Sequence, residues 1–197
     1  MVQWQLATTG PPSQMNLRPT AFDGLFVAET TYLRDPRGAF GRVFCEAELA
    51  PAIGTRHVVQ ANHSRTAAVG TVRGMHYQRG AHAEMKLVRC LRGRVFDVAV
   101  DLRADSPTRF QWHAEELTPE NGRMLIIPEG FAHGFQVLEE DSELLYLHTA
   151  AYAPHAEGGV AYDDPLLAIR WPLPAVGLSP RDLGYAPLTT HFTDIRT

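Results

Sequence analysis

Val95-Phe96-Asp97-Val98-Ala99-Val100-Asp101-Leu102 decides the fold class. Phe96, Val98, Val100 and Leu102 alternate with Val95, Asp97, Ala99 and Asp101, the period of two that belongs to a strand and not the 3.6 of a helix. Working outward, residues 84–90 precede this stretch across an Arg92-Gly93 turn, and residues 58–64, 71–78, 123–127 and 143–149 read as further strands. Arg79-Gly80, Asn121-Gly122 and Glu129-Gly130 supply more turns, several at the spacing of about 8–12 residues typical of sandwiches and barrels. Helical periodicity is confined to residues 46–50 and short pieces after Pro154. The expectation is an all-β chain, an antiparallel jelly roll or small barrel, ending in short helical or irregular segments. An immunoglobulin-like sandwich fits less well, because the Cys-Trp-Cys pattern is missing and histidines sit inside the strands.

The chain has 197 residues, 21.8 kDa and 45% hydrophobic residues, enough for one domain with a core that needs no staples. Residues 1–24, with Pro11-Pro12 and Pro19, read as a loose or pairing N-terminal arm. The net charge is −4 and no five like charges run together, which argues against nucleic acid or a membrane surface as partner. Of the 18 basic residues only Lys86 is a lysine. Cys45 and Cys90 have no CxxC or metal-ligand spacing and read as reduced thiols. Residues 1–14 lack the pattern of a signal peptide, and no apolar stretch nears the ~18 residues of a membrane span. The reading is a soluble, cytoplasmic protein.

Alternation also places polar groups together. In Val72-Arg73-Gly74-Met75-His76-Tyr77-Gln78, His76 and Gln78 share a face; Gln60 shares one with Asn62, and Leu144, Tyr146 and His148 share another. If those faces line the barrel interior they make a wet, His-bearing cavity, since each buried polar group needs a partner. A single inward His is more often a satisfied core residue; several polar positions on separate strands favour a site.

Asp35-Pro36-Arg37-Gly38, Gln60-Ala61-Asn62-His63-Ser64, Arg73 to Gln78, Lys86-Leu87-Val88-Arg89, Asp97 to Arg103, Ser106-Pro107-Thr108 and Ile127-Pro128-Glu129-Gly130-Phe131-Ala132-His133-Gly134-Phe135 follow one another in order. Together they resemble the dTDP-4-dehydrorhamnose 3,5-epimerase family over residues 25–188, leaving 189–197 as a tail. The resemblance implies a cupin-like antiparallel jelly-roll barrel acting on a nucleotide-linked 4-keto-6-deoxyhexose, with no metal and no cofactor. It implies a role in dTDP-L-rhamnose and O-antigen lipopolysaccharide synthesis, and a homodimer whose N-terminal strand crosses to the partner. By matched position it implies His76 as base, Asp182 as its paired carboxylate, Tyr146 as acid and Lys86 as the cation at the keto oxygen. Arg37 and Arg73 then fall to the diphosphate, and Gln60, Asn62 and His133 to sugar or phosphate hydrogen bonds, with Arg37 acting across the dimer.

Those residue types suit the chemistry. A His titrates near neutrality, a carboxylate on its second nitrogen fixes the tautomer, and a fixed ammonium stabilises an enolate more than a ketone. Strict alternation would nonetheless set Arg73 opposite His76, unless Gly74 carries a bulge. Asp97 and Asp101 read as structural carboxylates, and His63 and His148 have no assigned role. Arg42, Ala39, Leu147, Tyr162 and the Arg109-Phe110 pair depart from the family pattern and bear on which sugar and base are bound. Three alternatives stand: a mono-epimerase of a related keto sugar, a binding module without turnover, and a metal cupin. The last has Pro128 to His133 as half of its signature but lacks a second His near His76.

Overall fold

A computed structural model describes residues 15–192 and Ile195. Strands β1 (Met15–Pro19) and β2 (Phe26–Thr30) form a hairpin, and β3 (Leu33–Asp35) with β4 (Gly38–Phe40) a second, small one. The helix α1 (Glu46–Ile53) follows. Then come β5 (Gln60–Thr66), β6 (Val72–Gln78), β7 (Lys86–Arg92), β8 (Val95–Asp101) and β9 (Trp112–Leu117). The last strands are β10 (Arg123–Ile127), β11 (Phe131–Val137), β12 (Ser142–His148) and β13 (Glu157–Gly159), before the single-turn helix α2 (Pro180–Leu183).

Two antiparallel sheets face each other, one in the order β1-β2-β10-β7-β12-β5 and the other β13-β6-β11-β8-β9. Sequence neighbours such as β6 and β7 fall in opposite sheets, the crossing pattern of a jelly roll. Part of the expected N-terminal arm, residues 15–19, is strand β1 paired with β2; residues 1–14 lie outside the described residues. Of the expected tail, Phe192 and Ile195 pack on the outer face of the second sheet, and residues 193, 194, 196 and 197 are not described.

Alternation builds three apolar layers. Val95 and Ala99 of β8 meet Val88, Leu125, Phe135 and Leu144 between the sheets, while Val98 and Val100 point outward to Leu167 and Ile195. On the first sheet, Leu87, Met124 and Ile126 turn outward beneath Leu49 and Ile53 of α1. The central strands are therefore covered on both faces, and the inner face of β8 is broken only by the buried carboxylates Asp97 and Asp101. The interior layer is the one that gives way to polar residues and so positions the site.

Strict alternation fails in β6. His133 pairs with His76 and Phe135 with Arg73, so three steps along β6 match two along β11. The extra residue is a bulge, and it turns Arg73 to the same side as His76, resolving the conflict that alternation predicts. Gly74 makes it possible: its φ is +130°, and a Cβ there would lie 2.5 Å from Gly134 Cα. A side chain at that position would meet both a disfavoured backbone conformation and the facing strand.

Candidate active site

The interior opens into a cavity of about 560 Å³. The first sheet contributes Asn62 and Ser64 from β5, Lys86 from β7, and Tyr146 and His148 from β12; the second contributes Arg73 and His76 from β6 and His133 from β11, with Arg181 arriving from α2. Of the nine residues singled out in the sequence, Asn62, Arg73, His76, Lys86, His133 and Tyr146 thus line one space, with Asp182 directly behind His76. Gln60 does not line it, but donates to Asn62 Oδ1 at 3.3 Å and accepts from the Tyr152 amide. Arg37 lies on the β3–β4 hairpin, bound to Asp35, beside a separate depression.

His76 Nε2 is 2.6 Å from Asp182 Oδ1. A carboxylate only accepts, so the contact assigns the proton to Nε2 and leaves the lone pair on Nδ1. Asp182 is 4% exposed, and the Ser179 hydroxyl accepts its amide N–H, fixing the turn that presents it. Burial is the largest influence on His76 and lowers its pKa below the ordinary value; Asp182 opposes this, while Arg181 and Lys86 reinforce it. The ring is therefore a neutral base at physiological pH.

Across the cavity, the Tyr146 hydroxyl is 3.0 Å from Ser64 Oγ. Burial pushes its pKa well up, so the phenol keeps its proton. Lys86 Nζ sits 3.2 Å from Glu84 Oε1 and 3.5 Å from the His76 carbonyl oxygen. Glu84 in turn holds His148 Nδ1 at 2.8 Å, and His148 Nε2 meets the Asn62 amide at 3.3 Å. Burial raises the Glu84 pKa, but the His148 hydrogen bond and the Lys86 charge outweigh it and the net shift is downward. A compensated, largely buried ammonium thus lines the same cavity as base and phenol.

His133 is 2.8 Å from Asp97 Oδ1, and both are buried. Asp97 therefore reaches the cavity through His133, whereas Asp101 is held by Arg103, Ser106 and Thr108 and stays structural. Among the described residues the guanidinium of Arg73 makes one long bond, 3.5 Å to the Arg65 carbonyl, so donors remain for a ligand. Sequence reasoning did not find Ser64, Glu84 or Arg181 as site residues, nor a role for His148. Alternation placed His148 on the Tyr146 face without a role, and Ser64 could have been taken the same way, since it shares a face with Asn62. Glu84 and Arg181 lie outside regular elements or in a short turn, where no period marks the direction of a side chain. Among the described residues, no group of three or more His, Cys, Asp or Glu side chains is placed to hold a metal ion. Glu129 of the Pro128 to His133 stretch is bound to Arg56 instead.

Two facing antiparallel sheets around a cavity that pairs a His–carboxylate couple with a phenol and an ammonium define a cupin-type jelly roll equipped for proton transfer. The family model for dTDP-4-dehydrorhamnose 3,5-epimerase matches residues 19–190, and the chain belongs to that family. It is 41% identical over 170 residues to the dTDP-4-dehydrorhamnose 3,5-epimerase of Shigella flexneri, covering 86% of this chain and 93% of that one. It is 40% identical over 169 residues to the dTDP-4-dehydrorhamnose 3-epimerase of Streptomyces niveus, covering 85% and 81%. A solved structure of the dTDP-6-deoxy-D-glucose-3,5-epimerase of Legionella pneumophila, in complex with dTDP-4-keto-L-rhamnose, superposes with a TM-score of 0.82 at 43% identity, covering 87% and 92%.

Proposed function

We propose that this protein epimerises dTDP-4-dehydro-6-deoxy-D-glucose at C3 and C5, forming dTDP-4-dehydro-L-rhamnose. The observation that carries the reading is that His76 and Tyr146 face one cavity from opposite sheets, with the Lys86 ammonium beside it. Inversion needs this arrangement, because the proton must leave from one face of the carbon and return to the other.

In each half of the reaction Nδ1 of His76 removes the proton on a carbon next to the C4 ketone. Asp182 stabilises the imidazolium through Nε2–H, and the electron pair moves onto O4 as an enolate. Lys86 meets that charge, which is larger in the enolate than in the ketone. Tyr146 then delivers its phenolic proton to the opposite face of the carbon, and solvent restores both groups. Arg73 takes the diphosphate as a forked donor; Asn62 and His133 hold hydroxyl or phosphate oxygens, and Gln60 orients Asn62 through its hydrogen bond to Oδ1. The protein acts as a homodimer in the cytoplasm, with Arg37 serving the partner's nucleotide. The exposed hairpin supports this, since Leu33 and Phe40 on it are 57% and 72% exposed. O-antigen and related rhamnose-containing polysaccharides are the destination of the product.

The test is incubation of the wild-type protein with dTDP-4-dehydro-6-deoxy-D-glucose in D₂O, followed by NMR. Deuterium at both C3 and C5 with formation of the L-rhamno product is expected. Label at C3 alone establishes a 3-epimerase like the Streptomyces relative, and no label at either carbon overturns the reading.

A further inference from the structure

Arg181 has no role in the mechanism above, yet its guanidinium is the cation nearest the base. Nη2 lies 3.1 Å from His76 Nε2, the same nitrogen that is 2.6 Å from Asp182 Oδ1. Nε2 has one proton to share, and the shorter contact to a carboxylate claims it. The Arg181 N–H therefore faces another N–H and not a lone pair, so the contact is a charge held against the ring and not a hydrogen bond. Its position is not accidental to a floppy side chain. Nη1 donates to Glu157 Oε2 at 2.7 Å, and that same oxygen accepts the Tyr152 hydroxyl at 2.9 Å. Glu157 opens strand β13, whose Gly159 pairs with His76 itself, so tether and base belong to one sheet.

We infer that Arg181, braced by Glu157 and 3.9 Å from Asp182 Oδ1, is a positioning residue: it holds a positive charge on the Asp182 side of the imidazole and so adds to the burial that leaves His76 neutral with Nδ1 for the substrate. The inference deepens the epimerase reading and rests on His76 being its base. The remaining ionisable groups around the ring bear on the same balance. Lys86 with Glu84 approaches from β7, and Tyr185 stands beyond α2 with ring centroids 6.1 Å apart. His133 with Asp97 is opposite on β11, Arg73 is on β6 itself, and Tyr146 and His148 lie across the cavity. Among these, Asp182 and Arg181 are the pair that act on one nitrogen with opposite sign. Asp182 favours the imidazolium that forms during turnover, and Arg181 opposes its forming before substrate arrives. The guanidinium is half exposed, so its influence is screened but not abolished.

The experiment compares wild type, Arg181→Lys and Arg181→Gln by the NMR titration of the His76 ring in ¹³C-histidine-labelled protein, alongside the pH profile of kcat/KM. Removing the charge in Arg181→Gln is expected to raise the His76 titration and the acid limb together by about half a pH unit or more, while Arg181→Lys stays with wild type. A merely structural role would lower activity without moving either midpoint. If both variants titrate within about 0.2 unit of wild type, the inference is overturned, whether or not activity falls. The ring titration needs no substrate, so it decides the matter even if the chain does not epimerise the proposed sugar. Turnover of that sugar with an unmoved titration would leave the function standing and remove only Arg181's role.

Discussion

Replacing Lys86 by Met removes one charge from a cavity otherwise left intact, and its cost follows from one distance. An ammonium about 3 Å from an enolate oxygen is worth about 5.5 kcal/mol at an effective dielectric constant of about 20. Glu84 lies 3.2 Å behind the ammonium. Its carboxylate is then about 6 Å from the same oxygen, and its repulsion of about 2.8 kcal/mol is present in both proteins, so it does not offset the loss. Removing the ammonium therefore forfeits the full attraction of about 5.5 kcal/mol, about 10⁴-fold in kcat. Because the neutral ketone carries much less charge on O4, the loss falls on kcat and leaves KM nearly unchanged. The fold should tolerate the change, since Glu84 keeps its 2.8 Å contact to His148 and Met matches the length of the lysine stem. The assay is substrate conversion followed by ¹H NMR, with thermal unfolding as the control. A folded Lys86→Met protein whose kcat is within about threefold of wild type would refute the argument that this ammonium meets the developing charge.

His76→Ala should lower kcat by at least about 10², measured in the same assay. The depressed His76 pKa means that the base is deprotonated above the usual histidine range, so kcat/KM should be flat at neutral pH and fall only below about pH 6.5. Asp182→Asn removes a group that raises that pKa, so the acid limb should move to still lower pH as kcat drops, and a limb moving upward would contradict the pairing. The same depression has a stability consequence: the unfolded chain binds the proton more readily, so folding stability from this group is present above about pH 6.5 and is lost as pH falls through it. Gly74→Ala should destabilise the protein by at least about 2 kcal/mol through its positive φ and the clash with Gly134. Calorimetry should show Tm falling by about 5 °C or more.

Strands whose two faces differ, or that end in clear turns, were readable from their residues. β8 and β10 occupy the stretches that alternation marks, and β12 is displaced by one residue. β11 was readable as a motif but not as a strand, because all seven residues are buried and no alternation survives. β9, carrying Glu115 and Glu116, lacks the β-branched residues that mark a strand; its buried Glu115 is satisfied by Arg18 and Arg123 from neighbouring strands, which only the fold reveals. The same division runs through the site. His76 and Tyr146 stand at the inward positions that period two marks, whereas Lys86, also inward on β7, was assigned by the family resemblance. Arg73 could not be placed, because the bulge at Gly74 breaks the count. Asp182 emerged from the family resemblance alone, since it sits in a four-residue helix after a long irregular stretch. Arg181, next to it, shows why neighbours of a recognised residue merit attention: the capped turn that aims Asp182 at Nε2 delivers the guanidinium to the same atom.

The most direct measurement is Tyr146→Phe incubated with the keto sugar in D₂O, scoring deuterium uptake and inversion at the same carbon. With the base and the enolate-stabilising cation intact but no phenolic proton on the far wall, exchange should persist near its wild-type rate while inversion falls by about 10² or more. Parallel loss of exchange and inversion would contradict the account, because removal and delivery would not then be the work of two separate residues on facing sheets.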